Sequence, residues 1–199
     1  VAASIGALAL TVSTLAATTL VVAPATAAPG DPFNASQPTV YVAQSTPTVL
    51  YAAATDGSGS TSFTAVGGAS GVQYNAIAYN TADNYIYGLT NGTSDGFPAG
   101  SLIRVGQDGV VTRVGTTVFS GSVLGSFSPV DGYFYTYATP NGVPSLQVID
   151  VTSGSLVRVT TLSGDAVVGN DIAYMGGYFW SANARFISRI DPATGVTTQ

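Results

Sequence analysis

Apolar and polar residues alternate along most of this chain in short runs, and each run ends in a turn signal. After residue 35 no window carries an apolar stripe of 3.6-residue period, so the pattern predicts strands throughout and no helix. Valine, isoleucine, threonine and aromatic residues fill the runs, as a pleated surface favours. The turns have explicit chemistry. Leu102 to Val105 passes through Gly106 to Gly109 into Val110 to Val114. Leu146 to Ile149 passes through Asp150 to Gly154 into Ser155 to Val159, and Ile187 to Ile190 passes through Asp191 to Gly195 into Val196. Asp150 and Asp191 are placed to accept backbone N–H groups two or three residues ahead. Pro192 presets φ, and Gly154 or Gly195 supplies φ > 0 where the chain returns. These are hairpins.

The hairpins recur. Three stretches align: Ala76 to Asn84 followed by Tyr85 to Gly88, Gly125 to Gly132 followed by Tyr133 to Tyr137, and Asp171 to Gly177 followed by Tyr178 to Ala182. Each is an apolar run, a turn and an aromatic run. With the second hairpins, the repeat becomes four strands, a to d, at a spacing of ~45 residues, which is the period of a propeller blade. The first unit starts at strand b: Thr39 to Ala43, then Thr48 to Ala53, a turn at Asp56 to Gly59, and Ser62 to Val66. The predicted fold is all-β, a β-propeller of four-stranded antiparallel blades at about 36–68, 69–115, 116–162 and 163–199. Three full units and a partial one suggest a partial ring of about four blades, the complete ring having roughly six or seven. A native four-bladed ring is the alternative. The inner strand missing from the first unit is expected from the far end of a longer chain, where it would remove a free edge.

Residues 1–22 are uncharged and largely apolar, and Ala25-Thr26-Ala27 is an A-x-A cleavage pattern. We expect 1–27 to be a secretory signal whose basic n-region is missing, with 28–35 a Pro/Gly linker. A retained membrane anchor is the competing reading, since ~20 apolar residues can just span a bilayer. Export implies a secreted, extracellular or wall-associated protein, with no membrane contact once the signal is cleaved. The sequons at Asn34 and Asn91 are chance tripeptides in a Ser/Thr-rich chain unless the pathway is eukaryotic.

Charge narrows the chemistry. Of 199 residues 8% are charged, the net charge is −5, and histidine and cysteine are absent. The five cations are all arginine and the ten anions all aspartate. No disulfide framework is possible, and no thiolate or imidazole is present to ligate a metal. Most general-base and nucleophile pairs cannot be assembled from these residue types. The arginines are dispersed, so no phosphate-tracking stripe exists and no nucleic acid is expected as partner. No cofactor and no metal are predicted. Asp83, Asp108, Asp131, Asp150 and Asp191 each stand alone in a turn, whereas calcium requires several oxygens converging in one loop.

The units carrying DIAY or AIAY, then YFW or YIY, then LIRV or SRI-DPATG, resemble a secreted, actinobacterial-type β-propeller family of unknown function. More loosely they are similar to NHL and quinoprotein-like propellers, which share the I-D-x-x-T-G hairpin. The resemblance spans residues 36–199 and implies a propeller at the cell surface without assigned chemistry. Streptogramin-lyase relatives of the architecture use histidine and glutamate, and this chain has neither.

Strand a lines the channel of a propeller, so polar residues at its mouth are the natural site candidates. They are Gln73 and Asn75 in the first full unit, Ser122 and Ser126 in the second, and Asn170 and Asp171 in the third. Asn75 and Asn170 align, two residues before Ile77 and Ile172, and a ring of such amides suits a hydroxylic ligand such as a glycan. The competing role is hydrogen bonding to backbone at the strand start. Tyr85, Tyr87, Tyr133, Tyr135, Tyr178 and Trp180 lie on strand b and are expected to pack between blades rather than to stack sugars. The favoured function is an exported, non-catalytic module for binding or display at the cell surface, its partner an extracellular ligand, glycan or protein. A propeller lyase or hydrolase with catalytic residues elsewhere in a longer chain, and a structural spacer, are the alternatives.

Overall fold

A computed structural model describes residues 30–34, 36, 39–94, 96–120, 123–164 and 168–199. The expected signal over 1–27 and the candidate Ser122 lie outside the described residues. Fifteen strands form four antiparallel sheets. The first blade has three strands, β1 (Val40–Gln44), β2 (Val49–Thr55) and β3 (Thr61–Val66). The second comprises β4 (Tyr74–Asn80), β5 (Tyr85–Thr90), β6 (Ser101–Val105) and β7 (Val111–Val118). The third comprises β8 (Gly125–Phe127), β9 (Phe134–Ala138), β10 (Ser145–Asp150) and β11 (Ser155–Thr161). The fourth comprises β12 (Ile172–Met175), β13 (Tyr178–Ala182), β14 (Ile187–Ile190) and β15 (Thr197–Thr198). Strand order in every sheet is sequential. The inner strands β4, β8 and β12 stand side by side. This is the arrangement of a four-bladed β-propeller, all-β as the turn chemistry predicts, and the first blade lacks strand a among the described residues.

The blades cohere through apolar seams, because the middle strands, such as β5, β6, β9 and β10, carry nearly continuous buried runs that cover both faces of each sheet. Tyr87, Leu89 and Leu102 of the second blade pack on Phe134 and Ile149 of the third. Tyr135, Leu146 and Val148 of the third pack on Phe179 and Ile190 of the fourth. Leu50 and Tyr41 of the first meet Ile86, Ile103 and Val105 of the second. Each large side chain so buried contributes ~1.5–3 kcal/mol relative to exposure. The strand-b rings therefore act mainly as packing: Tyr87 meets Phe127 across one seam with centroids 5.7 Å apart, and Tyr135 meets Phe179 across the next at 4.7 Å.

At the rim, each hairpin between strands c and d presses on strand d of the blade before it. Gly154 (φ 67°) lies so close that a Cβ would come within 2.8 Å of Val114 O, and a Cβ on Gly195 (φ 74°) would overlap Thr161 O. The glycine is thus needed twice, for φ > 0 and for the close approach.

The stretch 28–35, expected to be a free linker, is tied down where it is described. Gly30 N–H donates to both carboxylate oxygens of Asp108 at 3.1 and 3.0 Å. Gln107 N–H donates to Asp31 O and Phe33 N–H to Asn84 O. Phe33 is buried, its ring 4.8 Å from Tyr41 and 6.4 Å from Tyr79. Burial of the Phe33 ring beside Tyr41 and Tyr79 outweighs the flexibility of the flanking Pro and Gly.

The outward faces of the end blades stay open. Tyr178 and Trp180 on the fourth blade are half-buried beside Met175 (65% exposed) and Ile187 (66%). On the first blade Val40 and Phe63 (58% exposed) face outward.

Candidate functional site

The sequence-derived candidates divide between the two ends of the inner strands. Gln73 is exposed at the entry to β4, where its carbonyl accepts from Asn91 N–H at 2.9 Å. Asn75 is half-buried, and its Oδ1 accepts Ala76 N–H at 2.9 Å. Asn170 is exposed and donates its N–H to Ala182 O. Asp171 Oδ1 accepts Ile172 N–H at 2.8 Å, and desolvation pushes its carboxyl above the usual carboxylate range. The Asn75 and Asp171 side chains bond backbone at the strand start, as Asn and Asp commonly do, whereas Asn170 engages its own blade through its backbone N–H. Ser126 sits in the middle of β8, in a different environment from the other four.

The register also moves one pairing. Asn75 faces Leu89 and Ala78 faces Tyr87, so β4 bulges between them at Ala76, whose φ is 55°. Thr136 Oγ1 donates to Leu124 O at 2.8 Å, and Ser181 Oγ donates to Asp171 O at 2.7 Å. At the corresponding place in the second blade Gly88 lies against Asn75 O. Asn75 therefore corresponds to Asp171, not to Asn170 as the alignment suggested. The extra residue of the bulge displaces the match by one.

At the opposite end, where strands a turn into strands b, lies a cleft of about 340 Å³. Its walls include Tyr79 and Asn80 at the end of β4, Ser126, Phe127 and Ser128 along β8, and Tyr174 on β12. Of the sequence-derived candidates among the described residues, only Ser126 lines it. Tyr79, Phe127 and Tyr174 occupy one repeat position, since they pair with Ile86, Phe134 and Phe179, which themselves correspond. All three rings are half-buried. Sequence reasoning aligned these stretches but attended to their turns and to strand b. The recurring aromatic near the end of each inner strand was the available signal.

Among the described residues no charged side chain lines this cleft, and the adjacent carboxylates are bonded back to strand b. Asp83 Oδ1 accepts Tyr85 N–H while its Oδ2 accepts the Tyr87 hydroxyl at 2.7 Å. Asp131 repeats this with Tyr133 N–H and the Tyr135 hydroxyl. Burial and these bonds to carboxylate push both phenols far above the ordinary tyrosine range. In the fourth blade Gly176 stands where Asp131 stands in the third, and Trp180 Nε1 donates to Met175 O at 3.0 Å instead. The Ser153 hydroxyl and Thr152 N–H donate to Asp150, and Thr194 and Ala193 N–H donate to Asp191, which holds both carboxyls below the usual range. Among the described residues, no three acidic side chains come together as a cation site would require.

The profile of a family described as a repeat of unknown function (DUF6923) matches residues 41–199. No curated protein matches the chain. Among solved structures it is similar to a glutaminyl cyclase of Myxococcus xanthus, with 17% identity and a TM-score of 0.50 over 75% of this chain. This chain spans 60% of that one. A chain of a nidogen/laminin complex aligns at 9% identity and a TM-score of 0.39, covering 81% of this chain and 92% of that one.

Proposed function

This chain belongs to the repeat family of unknown function DUF6923, and from that premise we propose that it is an exported, non-catalytic β-propeller module for binding or display at the cell surface. The observation that carries the reading is how the carboxylates are used. Asp83, Asp131, Asp150 and Asp191 are bound to turn N–H groups, and two of them also to buried phenols. That leaves the cleft beside the inner strands lined by neutral hydroxyl, amide and aromatic groups, which suit recognition better than proton transfer. The A-x-A pattern at Ala25 to Ala27 supports export.

A propeller enzyme, lyase or hydrolase, is the second reading. It draws on Asp171, whose raised carboxyl is the kind a general acid needs. No histidine, cysteine, glutamate or lysine is present to partner it. The likeness to a glutaminyl cyclase, at 17% identity, carries the fold and not the activity.

Surface proteolysis of intact host cells making the complete reading frame tests the proposal. Cleavage by external protease, with the protein in the wall or medium fraction, is the expected result. Full protection together with a cytosolic location would overturn it.

A further inference from the structure

Resting on the reading that this module binds a ligand outside the cell, we infer that the cleft at the ends of β4, β8 and β12 takes a neutral carbohydrate segment. Tyr79, Phe127 and Tyr174 stand at one level on three neighbouring strands and line the same cleft. Each ring is held from behind by its seam: Tyr79 by Phe33 at 6.4 Å, Phe127 by Phe134 at 5.3 Å, Tyr174 by Phe179 at 5.2 Å. Phe127 also meets Tyr87 at 5.7 Å, and the surface each half-buried ring leaves open lines the cleft. Rings fixed by packing lose little entropy when a ligand arrives, and the C–H face of a pyranose needs such flat apolar ground.

Ser126 lines the same cleft. Ser126 Oγ is half-buried and has no hydrogen-bond partner among the described residues. A serine hydroxyl both donates and accepts, as do the hydroxyls of a sugar. Among the described residues the cleft has no charged lining to form an ion pair with an acidic or basic ligand. The net charge of −5 further disfavours acidic glycans. At about 340 Å³ the cleft is of ligand-binding size, at the low end of ~300–1,000 Å³.

The test is calorimetric and NMR titration of the full chain with maltotetraose, cellotetraose and a uronic-acid tetrasaccharide. Saturable binding of at least one neutral oligosaccharide is expected, stronger than that of the uronic acid. Tyr174→Ala should weaken it about threefold to tenfold, the worth of one stacked ring. Tyr174→Phe, which keeps the ring and guards against a loosened seam, should retain most of the affinity. Asn170→Ala, at the other end of the strands, should leave it unchanged. Absence of neutral-sugar binding, preference for the uronic acid, or loss with Asn170→Ala but not with Tyr174→Ala would each overturn the assignment. The proteolysis result on intact cells is independent of any sugar, so either claim can fail alone.

Discussion

The Tyr135 hydroxyl donates to Asp131 Oδ2 at 2.6 Å, and Arg158 Nη2 reaches the same hydroxyl at 2.8 Å. The turn before strand b is thereby bonded to the middle of that strand, and the second blade repeats the bond between Tyr87 and Asp83. Arg158 lies 3.9 Å from Asp131, and with both side chains well exposed that ion pair itself contributes little.

Removing the hydroxyl with Tyr135→Phe should destabilise the protein by about 1.5–3 kcal/mol, the range for a hydrogen bond to a charged group. Urea denaturation at neutral pH measures it. Tyr133→Phe, whose ring is half-buried and whose hydroxyl has no such bond, is the comparison and should change stability by less.

Tyr74 carries the clearest pH prediction. Burial pushes its phenol up to about 12 from an ordinary 10.0. The unfolded chain therefore releases this proton at lower pH than the folded one. The stabilisation is complete below pH 10 and is lost as pH rises through about 12. Unfolding free energy measured from pH 9 upward should fall across that window, and Tyr74→Phe should flatten part of the fall. An unchanged slope in Tyr74→Phe would remove Tyr74 as its source.

Two glycines of positive φ separate backbone strain from crowding. Gly59 (φ 84°) has open space around it, whereas Gly195 (φ 74°) is pressed on Thr161 O. Gly59→Ala should cost about 1 kcal/mol for its conformation alone. Gly195→Ala should cost at least about 2 kcal/mol, because backbone of the neighbouring blade must also move. Equal losses in thermal denaturation would show that the rim contact adds nothing.

Phe33→Ala should cost about 3 kcal/mol, the usual loss for a buried phenylalanine. It should also free the segment 30–34, seen as faster amide exchange at Gln107 and Phe33, whose N–H groups that docking bonds.

Hairpins and blade order were legible in the chain because they follow from local chemistry. An aspartate opens and a glycine closes the turns at Asp150 with Gly154 and at Asp191 with Gly195. What escaped the sequence depends on contacts between distant segments. The bulge at Ala76 shifts Asn75 into register with Asp171, and nothing in Asn75-Ala76-Ile77 announces a left-handed alanine. Phe33 looked like a residue in a linker because its partners, Tyr41 and Tyr79, come from two different blades. Asp83 and Asp131 were readable as turn formers through one oxygen. Their second oxygen meets a phenol four residues on, which becomes visible once the strand direction is known. The cleft was missed for a similar reason: its three rings are ~45 residues apart in the chain and meet only when the blades are placed side by side.

Trp180 is the chain's single tryptophan, and it lies on the open side of the fourth blade between Met175 and Ile187. Nature has placed the one strong fluorophore at a boundary. Its emission wavelength should report, without any label, whether water or another surface covers that side in a given preparation.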